Sequence, residues 1–426
     1  MATSEKTTTA STSGPTGTDF IEQKMKSLDL LKNKPGDEKL VADLGKCMNC
    51  GLCLTACPVL EAASFEIFAG PRSMATTLSR VNPNYWNVKD VIYSCTECGS
   101  CQEICPEKVP IPSIVDYLRA KIYKLRPSII PEAHKAMLTN LSEHGTSIPP
   151  EDDDLRTDLA ESAMRDLGLP FKKDMFKKSA EVVYFAGCLS THRALEIRES
   201  GKLLLDILGV NFTLLKNEEC CGLPATLIGD EELSAKLSKS TFEKVKEVGA
   251  STIVATCSGC ASTLQNSMRK TYPNSGIRVK HMVEYLVEDV GLPEISEIAK
   301  SKERRKKSEA EYVAIHPACH LSRHLSRHIQ DYAFELVKAI PRIAVTTPNT
   351  SGKCCGAGGL LSSFKPDVAN KITNARLQEI LDQGKNTTKI VAPCPTCTIQ
   401  LGQEVANSSS NVKVEDLTVF LARRLI

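Results

Sequence analysis

"CCGLPATLIG" at residues 220–229 and "KCCGAGGLLSS" at residues 353–363 read alike. Adjacent cysteines followed by glycine are rare, and here the arrangement returns after 134 positions. Neighbouring thiols pair poorly with each other, so a disulfide between them does not explain why they are kept. The cysteines around them do. Cys188, a gap of 31 residues, Cys220 and Cys221, a gap of 35, then Cys257 and Cys260 make one set of five. Cys319, a gap of 34, Cys354 and Cys355, a gap of 38, then Cys394 and Cys397 make the other. A single Cys, a CCG and a CxxC in the same order twice mark an internal duplication.

The flanking sequence repeats as well. "EVVYFAGC" and "EYVAIHPAC" are β-branched apolar runs that end on the single cysteines, and "STIVATCSGC" and "TKIVAPCPTC" lead into each CxxC. Between them, "DEELSAKLSKSTFEKVKEVG" and "KPDVANKITNARLQEILDQG" carry a helical period and end in glycine. Short apolar runs alternating with helices predict βα units on parallel sheets. In such sheets ligands gather beyond the carboxyl ends of the strands, where these cysteines fall. The helix N-termini that follow favour the negative charge of thiolates and of a centre they ligate. A tetrahedral zinc site closes with four thiolates, so five cysteines with two adjacent imply a larger or less symmetric metal centre.

Upstream lie the other eight cysteines. "CMNCGLCLTACP" holds Cys47, Cys50, Cys53 and Cys57, and "CTECGSCQEICP" holds Cys95, Cys98, Cys101 and Cys105. Both follow C-x₂-C-x₂-C-x₃-C-P, the bacterial ferredoxin run, in which the fourth cysteine ligates the other cluster. Cys47, Cys50, Cys53 and Cys105 are therefore expected to hold one cubane [4Fe–4S] cluster, and Cys95, Cys98, Cys101 and Cys57 a second. Paired zinc sites are the competing reading of such spacing, and four cysteines within eleven residues closed by proline suit zinc poorly.

Composition bounds the rest. The 426 residues suggest about three domains, and 42% hydrophobic content is ample for packed cores. The +2 net charge leaves no broad electrostatic footprint for nucleic acid or acidic lipid. No apolar run approaches a membrane span, and "MATSEKTTTASTSGPTGTDF" lacks the apolar core of a secretory signal. A soluble, cytoplasmic protein is expected, where spaced cysteines serve as metal ligands more often than as disulfides. No Walker motif, dinucleotide fingerprint or flavin signature occurs, so no flavin or NAD is expected on this chain, and a hydride-handling cofactor would belong to a partner.

On "GC" at 187–188, "CCG" at 220–222, "CSGC" at 257–260, "HPACHLSRH" at 316–324, "CCGAGG" at 354–359 and "CPTC" at 394–397, residues 40–426 resemble the heterodisulfide reductase family. With two ferredoxin runs ahead and "GPR" at 70–72 between them, the order is similar to that of the family's D-type component. The resemblance implies a mixed fold: a small, mainly helical two-cluster ferredoxin-like domain and two duplicated α/β parallel-sheet CCG modules facing each other with pseudo-twofold symmetry. It implies a noncubane [4Fe–4S] cluster on each set of five cysteines, and a disulfide substrate of the coenzyme M–coenzyme B type cleaved between the two clusters. The partner implied is a membrane cytochrome b subunit, which would dock the chain at the inner membrane face, or a flavin-containing subunit supplying electrons. A hetero-oligomer is expected in either case. The iron–sulfur subunits of glycolate and lactate oxidation systems and of anaerobic glycerol-3-phosphate dehydrogenase share the layout and only relay electrons from a flavin partner. A sulfate-reduction membrane complex and thiol:fumarate reductase are further relatives, although the succinate-dehydrogenase-like first half of the latter is not evident. A purely electron-carrying module is the non-enzymatic alternative.

The expected divisions are a disordered tail and lead-in helix at 1–39, the dicluster domain at 40–125, a linker at 126–180, CCG module 1 at 181–300, a charged linker at 301–311 and CCG module 2 at 312–426. His316, His320, His324 and His328 recur every four residues, and a helix from about 320 would bury Leu321, Leu325, Ile329 and Leu336. His320, beside Cys319, is the candidate proton donor to a departing thiolate. Arg323 reads as part of a solvated face, with steering of an anionic substrate as its functional alternative, and Trp86 as packing between the ferredoxin runs.

Overall fold

The four apolar runs that lead into cysteines become strands in the computed structural model, which describes residues 38–79, 88–89, 91–305, 310–348, 352–408 and 410–426. The tail at 1–37, Trp86 and residues 306–309 of the charged linker lie outside the described residues. In the first CCG half, β1 (Val182–Phe185), β2 (Phe212–Thr213), β3 (Thr252–Ala255) and β4 (Arg278–His281) form a parallel sheet in the order β2-β1-β3-β4. In the second, β5 (Glu311–Ile315), β6 (Ile343–Val345), β7 (Lys389–Ala392) and β8 (Lys413–Asp416) form a parallel sheet in the order β6-β5-β7-β8. The duplication seen in the cysteines is thus a duplication of sheet order. β1, β3 and β7 are buried along their whole length, which is why they read as unbroken apolar runs.

The two sheets share one core. Tyr184, Val254 and Met282 from the first half pack in the same apolar cluster as Val313, Ile390 and Phe420 from the second. The last helix, Leu417–Leu425, also lies on helix Leu195–Ile207 of the first half. The glycine of each CCG has a common reason. Gly222 and Gly356 sit at φ +92° and +99°, and a Cβ there would meet Ser234 O at 2.7 Å and Ala369 O at 2.4 Å. Each allows the two cysteines to press against the long helix behind, Glu231–Val248 or Pro366–Gln383. Ser238 and Thr373 on those helices complete the match by donating to the Cys221 and Cys355 carbonyls.

The ferredoxin-run segment is built of short helices around Val59, Phe68, Met74, Ile92, Ile114 and Leu118. Its longest helix, Ile111–Leu125, lies against Leu223–Ile228 of the first CCG half. The 126–180 connection, expected to hold some helix, includes helices Glu132–His144 and Asp153–Asp166, and the stretch between them supplies part of the site. Two local expectations change. The 300/301 boundary falls inside helix Leu292–Arg305. The helix after 320 is not continuous: a wide π-type turn at His320–Leu325 gives way at extended Ser326 to helix Arg327–Lys338. Leu321, Ile329 and Leu336 are nevertheless buried.

Candidate functional site

The strand ends carry the cysteines to one place. Cys188 follows β1, Cys257 is the residue before helix Ser258–Thr271, and Cys394 that before helix Pro395–Asn407. The two CCG turns come in from the side. Nine of the ten cysteines, all except Cys354, line a single cavity of about 580 Å³. None of the eighteen cysteines is in a disulfide.

Hydrogen-bonding thiol contacts run from Cys188 through Cys220, Cys221, Cys260 and Cys257, cross between the halves to Cys394, and continue to Cys397 and Cys355. Cys319 and Cys354 form a separate pair. Hydrogen bonds from Cys220 and Cys260 pull Cys221 down to about 6, and one from Cys319 does the same for Cys354. Burial pushes Cys319 and Cys260 up after their thiol neighbours have done so. Crowded thiols in a dry interior cannot ionise together without cations between them, and a metal centre supplies those cations. The donor chemistry fits thiolate-ligated iron–sulfur clusters.

Further groups surround the cysteines. Ser147, from the supposed linker, places Oγ 3.1 Å from Cys188 Sγ. In the same segment the Gly145 carbonyl accepts the Cys220 N–H at 2.7 Å. Glu218 accepts the N–H groups of Ala186 and Gly187 at 3.2 and 2.7 Å, and burial pushes its carboxyl up to about 7. His320 lines the cavity with Nδ1 3.6 Å from Cys319 Sγ, stacked on His324 at 4.1 Å between ring centres. Burial, then His324, holds His320 down to about 3, so its ring is neutral. His328 is exposed, with Nδ1 2.6 Å from Ser326 Oγ and Nε2 4.0 Å from Glu288.

The ferredoxin-run cysteines gather around two small cavities. Cys47, Cys50, Cys53 and Cys105 surround one small cavity of about 20 Å³, and Cys57, Cys95 and Cys98 another of the same size. Cys101 touches both. Cys50 is exposed, whereas Cys57 and Cys98 are buried. Arg119, fully buried, holds the second loop: it pairs with Glu97 and donates to the Ile92 and Cys95 carbonyls at 3.1 and 3.0 Å.

That second loop docks on the second CCG half. Arg323 Nε donates to Glu103 at 2.7 Å and its Nη1 to the Cys98 carbonyl at 3.1 Å, while His324 Nε2 donates to the Glu97 carbonyl at 2.7 Å. Arg323 is therefore neither a solvated residue nor a substrate-steering one. Cys319 and Cys354 share an apolar cluster with Cys57 and Cys98, and the negative charge of Cys354 helps raise Cys98 after burial. The first CCG half meets the same segment through hydrogen bonds away from its cysteines, Tyr93 to the Ile228 carbonyl at 3.0 Å and Tyr123 to Asp230 at 2.7 Å.

Comparison with known proteins places this arrangement. Residues 43–109 match the family described as 4Fe-4S dicluster domain, and residues 182–265 and 313–402 each match the cysteine-rich domain, CCG. An uncharacterised iron–sulfur protein of Methanococcus maripaludis is 27% identical over 380 residues, covering 87% of this chain and 70% of that protein. The D-type component of the dihydromethanophenazine:CoB–CoM heterodisulfide reductase of Methanosarcina acetivorans is 24% identical over 417 residues, covering 90% and 94%. EtfAB:quinone oxidoreductase of Syntrophomonas wolfei is 26% identical over 436 residues, covering 90% and 58%. The chain is an iron–sulfur protein with a dicluster domain and two CCG domains. It is an oxidoreductase subunit related to the D-type component of heterodisulfide reductase. Among the described residues no helix is long and apolar enough to cross a membrane.

Proposed function

We propose that this chain is the catalytic subunit of a disulfide reductase, with a heterodisulfide of the coenzyme M–coenzyme B type as substrate. The observation that carries the reading is the single cavity of about 580 Å³ lined by both five-cysteine sets. The two ferredoxin-type sets enclose small cavities of about 20 Å³ each, with no room for an organic substrate. Cys47, Cys50, Cys53 and Cys105 would hold one cubane cluster, and Cys95, Cys98, Cys101 and Cys57 the other. Cys188, Cys220, Cys221, Cys257 and Cys260 would hold one noncubane cluster, and Cys319, Cys354, Cys355, Cys394 and Cys397 a second, related to the first by a pseudo-twofold axis. When bound, the clusters supply electrons one at a time and iron faces that take sulfur.

The overall change is RS–SR′ + 2e⁻ + 2H⁺ → RSH + R′SH. Contact between Cys257 and Cys394 brings the two ligand sets together at one cavity, so both sulfurs of one disulfide can be engaged together. Buried walls exclude bulk water from the thiolate products. His320, with Nδ1 3.6 Å from Cys319 Sγ, would pass a proton to the Cys319 side. Electrons would arrive at exposed Cys50, pass to the buried second set, and cross to the second CCG half where Cys98 meets Cys354. The donor partner would be a cytochrome b or flavin-containing subunit.

The second reading is a relay subunit for a flavin-dependent oxidoreductase, favoured by the likeness to EtfAB:quinone oxidoreductase. The two separate on addition of a thiol to the oxidised, cluster-loaded protein. A reductase's cavity takes the thiol and gives a new paramagnetic signal, whereas a relay's spectrum stays as it was.

A further inference from the structure

The two CCG sites match in all ten cysteines but differ three residues before the first cysteine of each set. Phe185 stands there in the first half and His316 in the second. Strand register confirms the equivalence. Phe185 pairs with Ala255, two residues before Cys257; Ile315 pairs with Val391, so His316 falls opposite Ala392, two residues before Cys394.

His316 is completely buried. One of its ring nitrogens and the sulfurs of Cys355 and Cys397 all lie within 4.8 Å of one another. Arg376 Nε donates to Nδ1 at 3.3 Å, so Nδ1 is an acceptor and carries no proton. Arg376 is itself buried, anchored to Glu379 at 2.7 Å, and its guanidinium opposes a second positive charge on the ring. A neutral imidazole that accepts at Nδ1 bears its proton at Nε2. Nε2 is buried and has no hydrogen-bond partner in the protein. A stranded N–H donor in a dry, sulfur-rich site is costly unless an acceptor of another kind is present.

We infer that His316 donates its Nε2 proton to the sulfur of the cluster held by the second CCG set, which makes the two CCG clusters electronically unequal. The inference rests on the reading that those cysteines hold a cluster. A protonated Nε2 has no lone pair to give to iron, so His316 is a positioning and tuning residue and not a ligand. Hydrogen bonds to cluster sulfur stabilise added electrons and raise the reduction potential. At the equivalent place in the first half Phe185 offers no donor, and buried Glu218 brings a carboxyl to the Gly187 N–H beside Cys188. Both differences act in one direction, against the single hydroxyl of Ser147 on Cys188. The second CCG cluster, the one against Cys98, is the higher-potential site and takes the incoming electron first.

The test uses the full chain loaded anaerobically with its clusters. Iron and sulfide content, the midpoint of each cluster, and hyperfine coupling to exchangeable protons after transfer to D₂O are compared in wild type, His316→Phe and His316→Gln. The Gln amide reaches the position of Nε2. The expected result is unchanged iron in all three, a lowered midpoint and a lost exchangeable coupling at one CCG cluster in His316→Phe, and recovery of both in His316→Gln. Unmoved midpoints with the coupling retained in His316→Phe would overturn the proposal. Loss of iron from one CCG site would overturn it too, by making His316 a ligand. If the wild type carries clusters only on its ferredoxin runs, the underlying reading fails, and the iron content shows this before any variant is compared.

Discussion

Replacing Arg119 by Met should unseat the second ferredoxin loop while leaving the CCG halves folded. The guanidinium is fully buried, pairs with Glu97, and carries the Ile92 and Cys95 carbonyls. Met fills much of the volume but supplies no charge and no donor. Glu97 is then left in the interior without its cation, beside Asp116, which desolvation pushes up to about 6. Removing one partner of a buried ion pair costs about 3–5 kcal/mol, a factor of roughly 10²–10³ or more in the opening equilibrium of this loop. The assay is anaerobic urea titration followed by thiolate-to-iron absorbance, with electron paramagnetic resonance to show which cluster leaves first. One ferredoxin-type cluster is expected to be lost at much lower urea than in wild type, with the CCG signals unchanged. Lower pH should soften the defect, because Glu97 can then take a proton. Arg119→Met/Glu97→Gln should recover a large part of the loss, since no unpaired charge remains. Equal urea sensitivity in Arg119→Met and wild type would refute the reasoning and show that the cluster alone holds the loop.

Other consequences follow from single residues. His281 is buried, accepts the Val283 N–H at Nδ1 and bonds the Thr256 carbonyl through Nε2, and burial lowers it from 6.5 to about 4. A base with a depressed folded pKa contributes stability above its unfolded value and loses it on acidification, so about 3 kcal/mol should disappear between pH 6.5 and 4. His281→Asn, which keeps a helix-capping acceptor, should flatten that part of a stability–pH curve measured by urea unfolding. Gly356→Ala sets a Cβ 2.4 Å from Ala369 O at a positive φ; it should cost more than about 2 kcal/mol, read as a lowered Tm. Arg323→Ala removes two hydrogen bonds to the second ferredoxin loop and should weaken the docking by about 1–3 kcal/mol. Flash reduction should then show slower transfer into the CCG site with unchanged midpoints. His320→Ala should lower disulfide turnover, and unchanged turnover across pH would remove His320 as the proton route.

Ligand spacing is local, and that made much of this legible. The order Cys, CCG, CxxC survives in the sequence because each motif sits at one strand end or one tight turn. The strands β1, β3, β5 and β7 announce themselves as apolar runs. Their outer neighbours do not: β2 has two residues and β6 three, too short for periodicity. The docking contacts were hidden for another reason. Arg323 and Glu103 are 220 positions apart, and Arg119 reads as an ordinary basic residue on a helix until Glu97 is brought beneath it. Ser147 lay in a stretch that looked connective, and only the fold shows its hydroxyl beside Cys188. His316 was visible as one of four spaced histidines, but its difference from Phe185 means something only once the strand registers are aligned.

The most direct test of disulfide chemistry in the shared cavity is oxidation of reduced viologen by the anaerobically purified, cluster-loaded protein on adding the coenzyme M–coenzyme B heterodisulfide. The account predicts consumption of two electrons per disulfide, with release of both thiols, and loss of turnover in Cys257→Ala and in Cys394→Ala. Intact clusters with no viologen consumed, or turnover that survives both substitutions, would contradict it.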